Sequence, residues 1–125
     1  NVLSTSVATA LIRELKTPGL YDEVNAKGVR LKQALESLLS DAGISARVLG
    51  EPTAFQPWFL DGEVYDHRSS LGLNWKRQFK LQDLLLDRGI LKVQEKFFVS
   101  TAHSSDDIDR TIAALADLMG ELKAS

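Results

Sequence analysis

In the stretch KFFVSTAHSSDDIDRTI, residues 96–112, a histidine stands among hydroxyls and carboxylates, the residue types from which acid–base and nucleophilic sites are built. A catalytic His103 needs a nucleophile or an orienting acid beside it. The sequence offers His67, Ser100 and scattered carboxylates, with no spacing that marks a site. Asp106, Asp107 and Asp109 follow, but not at the spacing of a calcium loop. Ser104 with Asp107 three residues later, ahead of a periodic apolar run, has instead the form of a capping box. The acidic run then falls in a first helical turn, where the helix dipole favours negative charge. The spacing predicts a strand running into a capped helix, with His103 a corner residue that bonds the backbone of the turn, and no metal ligands.

The remaining motifs read as structure. Asp61-Gly62 is a turn signal before it is a catalytic aspartate. Trp58 and Phe59 are neighbours on a strand and so point to opposite sides, which requires a helix, a loop or another domain to cover one of them. Trp75 and Phe79, four apart, are expected in the core rather than on a base-stacking surface, with only Lys76, Arg77 and Lys80 interleaved. There is no Gly-rich phosphate loop, no GxSxG elbow and no HExxH. The residues alone name no complete active site.

The elements that would position these residues follow from periodicity. Val7, Leu11 and Leu15 share a helix face, stopped by KTPGLY. A second helix begins near Asp22 with a stripe of Val24, Leu31, Leu35 and Leu38; Gly28 and Ala42 are in register, and Gly43 ends it. Gly28 is small enough to let a neighbouring element approach closely. ISARVLG and TAFQPWFL read as strands, the second at an edge or bulged at Pro57. DGEVYDHRSSLGLN is a long irregular connection of the kind that carries function or awaits a partner. WKRQFKLQDLLLDRG is a helix stopped by Gly89. ILKVQEKFFVSTAH then supplies a short strand, a polar turn around Gln94 and a strand from Phe97 to Thr101. Ile108, Ile112, Leu115, Met119 and Leu122 line a final helix. The expected class is α+β, a small, mostly antiparallel sheet with helices packed on one face.

At 125 residues and 44% hydrophobic content the chain has the size of one domain. Fifteen basic against 17 acidic residues, net −2, give no electrostatic footprint for nucleic acid or an anionic membrane. Without cysteine there are no disulfides or thiolate sites, and a reducing, cytoplasmic home is expected. No apolar run is long enough to span a bilayer. The chain opens on NVLSTSVATALIREL with an apolar helix already under way, as the middle of a longer gene would.

TPGLYDEVNAKGVRLKQALESLLSDAGISARVLGEPTAFQPWFLDGEV, then LLLDRGILKV, then EKFFVSTAHSSDDIDRTIAAL stand in an order that resembles the C-terminal part of class III aminotransferases. The branch most similar is that of glutamate-1-semialdehyde 2,1-aminomutase, among the pyridoxal-phosphate enzymes of fold type I. The likeness covers nearly the whole chain and is most specific at FVSTAHSSDDIDRTI, AFQPWFLDG and RGIL. It implies a subunit of two parts, in which a large domain holds the cofactor and a smaller C-terminal domain closes one side of the active site. Residues 1–18 would be the end of the helix linking the two, and residues 19–125 the small domain.

Such chemistry requires a Schiff-base lysine, an acid facing the pyridine nitrogen and backbone donors for the phosphate. In the family all three come from the large domain, and none of the eight lysines here stands in the context of the aldimine lysine. The resemblance therefore implies pyridoxal phosphate in the parent enzyme, none held by this chain alone, and no catalytic, cofactor-binding or metal residue within it. Semialdehyde aminomutases carry a longer, Phe-Glu-containing segment before the last strand, whereas here RGIL reaches EKFF through KVQ, so 2,1-aminomutase specificity is not carried over. His103, Ser100 and Glu95 are the candidates for the substrate entrance or for supporting residues there. The implied partners are the large domain of the same chain and, in the parent, a second subunit. The alternative from another class is a stand-alone α+β module that binds a small molecule or a partner without catalysis. A severed domain would expose apolar surface around Trp58 or the first helix, and a module would not.

Overall fold

The computed structural model describes residues 1–93 and 96–125. In order, its elements are α1 (Val2–Leu15), α2 (Leu20–Asp41), β1 (Arg47–Glu51), β2 (Ala54–Trp58), α3 (His67–Ser70), α4 (Trp75–Asp87), β3 (Phe97–Phe98) and α5 (Ser105–Lys123). The strands make one antiparallel sheet in the order β1-β2-β3. Helix α5 packs between α2 and α4, and α2 also lies against β1, so the α+β class holds.

Local chemistry sets the helix limits. The buried residues of α2 are Val24, Gly28, Leu31, Leu35 and Leu39, so the stripe ends on Leu39, with Leu38 only partly covered. Gly43 takes φ +66°, its N–H donating to Ser40 O at 2.9 Å while Ile44 N–H donates to Leu39 O at 2.9 Å. These are the two reverse bonds of a Schellman motif, and buried Leu39 and Ile44 supply its apolar contact. Gly89 at φ +75° ends α4 in the same way, through Gly89 N–H to Leu86 O and Ile90 N–H to Leu85 O. Just before that stop, Arg88 reaches α5, bonding Asp117 at 2.8 Å and Glu121 at 2.6 Å, and so ties the two helices at one end.

The sheet departs from expectation at β2, which is central rather than at an edge, and its register with β1 runs unbroken through Val48↔Pro57 without a bulge. The proline is tolerated toward β1 because its ring nitrogen is not on the side that bonds that strand. Thr53 O accepts from Val99 N–H at 3.0 Å, so alternate residues Thr53, Phe55 and Pro57 direct their backbone groups toward β3. Among the described residues that strand pairs with Ala54 and Phe55, and none of them is set opposite Pro57. The strand expected over residues 97–101 is thus confined to Phe97–Phe98; the polar turn expected around Gln94 lies outside the described residues.

Two further differences lie in the second half. The connection after β2 is not wholly irregular, since Asp66 caps the single turn of α3 by accepting from Ser69 N–H at 2.7 Å. Trp75 and Phe79 are not in the core. They stack on each other at 6.2 Å on the outer face of α4, while Gln78, Leu81, Leu84 and Leu85 are buried. Trp58 is half-buried against the core and Phe59 fully buried, so both neighbours are covered as the strand ends between them.

Candidate functional site

The corner between β3 and α5 forms as its sequence dictates. Ser104 Oγ accepts from Asp107 N–H at 3.1 Å, and the Asp107 carboxylate accepts from Ser104 N–H at 2.9 Å, a complete capping box. Hydrogen bonds from the Ser104 hydroxyl and then from its backbone N–H hold the Asp107 pKa below the usual 3.8. A depressed folded-state pKa stabilises the fold above the unfolded value, and that contribution is lost as pH falls through the folded one. Acid titration followed by helical circular dichroism should therefore show stability falling below about pH 4 in the native chain. Asp107→Asn should flatten that limb, and a limb of unchanged depth would contradict this account of the cap.

His103 is held inside the same corner. Its Nδ1 accepts the backbone N–H of Ser100 at 3.0 Å and lies 3.1 Å from Ser100 Oγ, while its own N–H donates to Ser100 O at 3.2 Å. A backbone N–H can only donate, so Nδ1 is the bare nitrogen and the proton sits on Nε2. The geometry brings the two expected residues together, yet the lone pair that would take a serine proton already serves the turn. This is a fastening rather than a nucleophile–base pair. Glu95, the third candidate, lies outside the described residues. Among the described residues no group of three His, Asp or Glu side chains is placed to hold a metal ion.

His103 also lines a cavity of about 130 Å³, together with Leu31, Lys92, Phe97, Ile108 and Thr111. Lys92 is 3% exposed, with Nζ 2.9 Å from Val93 O and 5.3 Å from the centre of the Phe97 ring. Sequence reasoning passed over this lysine. Its only local signal is a charge set in the apolar run ILKV, where a snorkelling surface lysine would read the same.

Larger uncovered surfaces lie elsewhere. No residue of α1 is buried, and Val2, Leu3, Val7, Leu11 and Ile12 are all more than half exposed. On the sheet, cross-strand partners share a face, so Val48, Phe55, Pro57 and Phe97 look into the core; the other face carries exposed Arg47, Leu49 and Phe98 together with buried Gln56 and half-buried Trp58. Phe98 on that second face is 57% exposed. The first helix is thus bare, as expected of a severed domain, whereas Trp58, the other place named, is half-buried against the core.

No family model matches the chain. It is 30% identical over 125 residues to a glutamate-1-semialdehyde 2,1-aminomutase of Desulfosudis oleivorans, covering 98% of this chain and 29% of that enzyme. It is also 30% identical over 117 residues to the enzyme of that name from Desulforudis audaxviator, covering 91% of the chain and 27% of the relative. Among solved structures, an omega-transaminase from Sphaerobacter thermophilus superposes with TM-score 0.77 at 24% identity, over 88% of this chain and 26% of that one. A β-phenylalanine aminotransferase from Variovorax paradoxus gives TM-score 0.74 at 21% identity, over 82% and 24%. The chain corresponds to the C-terminal part of class III aminotransferases and aminomutases. It spans under a third of the length of these relatives. The corner His103–Asp107 is a well-fastened strand-to-helix junction, and the bare surface is α1.

Proposed function

We propose that this chain is the small domain of a pyridoxal-phosphate-dependent enzyme that moves an amino group on a small amino or keto acid. Its role is to close one side of an active site whose cofactor is held by a larger domain of the same polypeptide. One observation carries the reading: 98% of the chain aligns with only 29% of a relative. Residues 1–18 are then the end of the linking helix and residues 19–125 the domain proper. The parent is taken to be a cytoplasmic homodimer, with Ser100, His103 and Glu95 toward the substrate entrance.

Among the described residues, those lining the cavity at Lys92 and the cavity between α2 and β1 do not suit the cofactor itself. Pyridoxal phosphate needs a lysine that reaches a roomy cleft, and ligand sites usually occupy roughly 300 Å³ or more. Buried Lys92 faces about 130 Å³ and donates to Val93 O. The cavity of about 430 Å³ between α2 and β1 is lined by Glu36, Ser40, Arg47 and apolar residues, with no lysine. Mixing the chain with pyridoxal phosphate and reducing with borohydride should fix no adduct at a single lysine; one specific adduct would overturn the assignment of the cofactor to the larger domain. The reading as a whole is tested by co-expressing the chain with whatever its own reading frame encodes upstream of Asn1. Amino-group transfer should appear in the joined protein, and an upstream frame without a cofactor-binding domain would refute it.

In that joined protein His103→Gln separates fastening from catalysis. Removing the acceptor of a turn N–H should cost about 1 kcal/mol of stability. The rate of amino transfer should stay within about threefold, since a residue that acts directly in proton transfer contributes at least a hundredfold.

A further inference from the structure

Helix α4 is apolar on two sides. Its inner side, with Leu81, Leu84 and Leu85, packs in the core, while Trp75, Phe79 and Leu86 on the outer side are 47%, 44% and 56% exposed. At 3.6 residues per turn these three fall within an arc of about 40°, a seam along the helix in which Gln82 is the one polar position between Phe79 and Leu86. A helix with two apolar faces is one that is covered on both.

The charges beside the seam indicate what covers it. Lys76, Lys80, Asp83 and Asp87 follow one another along a single flank, between about 80° and 140° from Trp75 on the same wheel. Two cations precede two anions, so the row is its own complement when reversed. None of the described ion pairs occupies any of the four.

We propose that α4 pairs antiparallel with α4 of a second copy of this chain about a twofold axis. In antiparallel helices like flanks face each other. Lys76 then meets Asp87 of the other copy and Lys80 meets its Asp83, each pair made twice, as an isologous interface demands. The seam sets Trp75 against the other copy's Leu86, with the Phe79 rings near the axis. Trp75 is the anchor, an exposed aromatic of the kind that dominates such contacts.

The test is sedimentation equilibrium of the 125-residue chain over a wide concentration series. The native chain should show a monomer–dimer equilibrium. The double variants Lys76→Asp/Lys80→Asp and Asp83→Lys/Asp87→Lys should each dissociate at least about tenfold more readily, because like charges then face each other. Mixed in equal amounts, the two variants should form a heterodimer. Position 76 lies in the first turn of α4 and position 87 in the last, where the new charges suit the helix dipole, and circular dichroism should show both variants folded. A native chain that stays monomeric, a dimer indifferent to both variants, as pairing through α1 would give, or a mixture that does not associate would each overturn the proposal.

Discussion

Replacing Phe55 by alanine should cost about 3–5 kcal/mol, the range for a large aromatic truncated in a closed core. Phe55 is 0% exposed and sits on the central strand, its ring stacked on Phe97 at 5.2 Å with the planes 13° apart. The same residue pairs with Phe97 through the backbone, in a β3 of two residues. So short a strand keeps its place through the ring contact as well as the ladder, and the alanine variant loses both the buried area and the element that seats the His103 corner. Against the ~5–15 kcal/mol of a typical domain this is a large share. Urea unfolding should show the midpoint falling sharply, and Phe55→Leu should recover more than half of the loss. A midpoint shift worth under about 1 kcal/mol would mean that β3 is held by something other than the stacked rings.

The second large effect is expected at Gly28, for the opposite reason, too little space. A Cβ there would land on the carbonyl of Pro52, 2.5 Å from its carbon, and 3.1 Å from the proline Cβ. Alanine is the better helix former by about 1 kcal/mol, so an exposed helical glycine would gain by the change. Here the backbone of the β1–β2 turn must move away from α2, and overpacking of this kind costs about 1–3 kcal/mol or more. Gly28→Ala should therefore destabilise the fold and Gly28→Val should do so much further, read as successive falls in the thermal midpoint. A stabilised alanine variant would show that the turn yields at little cost.

Much of this architecture can be read without coordinates because its signals are short-range. The Ser104–Asp107 box, the stops at Gly43 and Gly89 and the stripe on α5 each depend on residues within a turn or two of one another. The same locality made His103 legible as a corner residue, since the groups it binds are those of Ser100, three positions away. The one-position error at Leu38 arose because leucines occupy both Leu38 and Leu39, and only contact with the rest of the core selects between them.

What tertiary structure alone decided concerns pairing across long separations. Helix α4 carries two apolar faces, and its sequence does not say which one α5 will cover; packing chose Leu81, Leu84 and Leu85 and left Trp75 and Phe79 outside. Pro57 suggested an edge strand or a bulge, but only the pairing with β3, some forty residues further on, shows that its strand is central. Lys92 is buried because Phe97 and the backbone of Val93 close around it, and a single charge in an apolar run does not foretell this. Caps, stops and helical stripes were thus set by the sequence itself, since their free energy is gained between near neighbours. The choice of faces, the reach of β3 and the bare flank of α1 depended on which distant surfaces meet, and on those that find no partner within the chain.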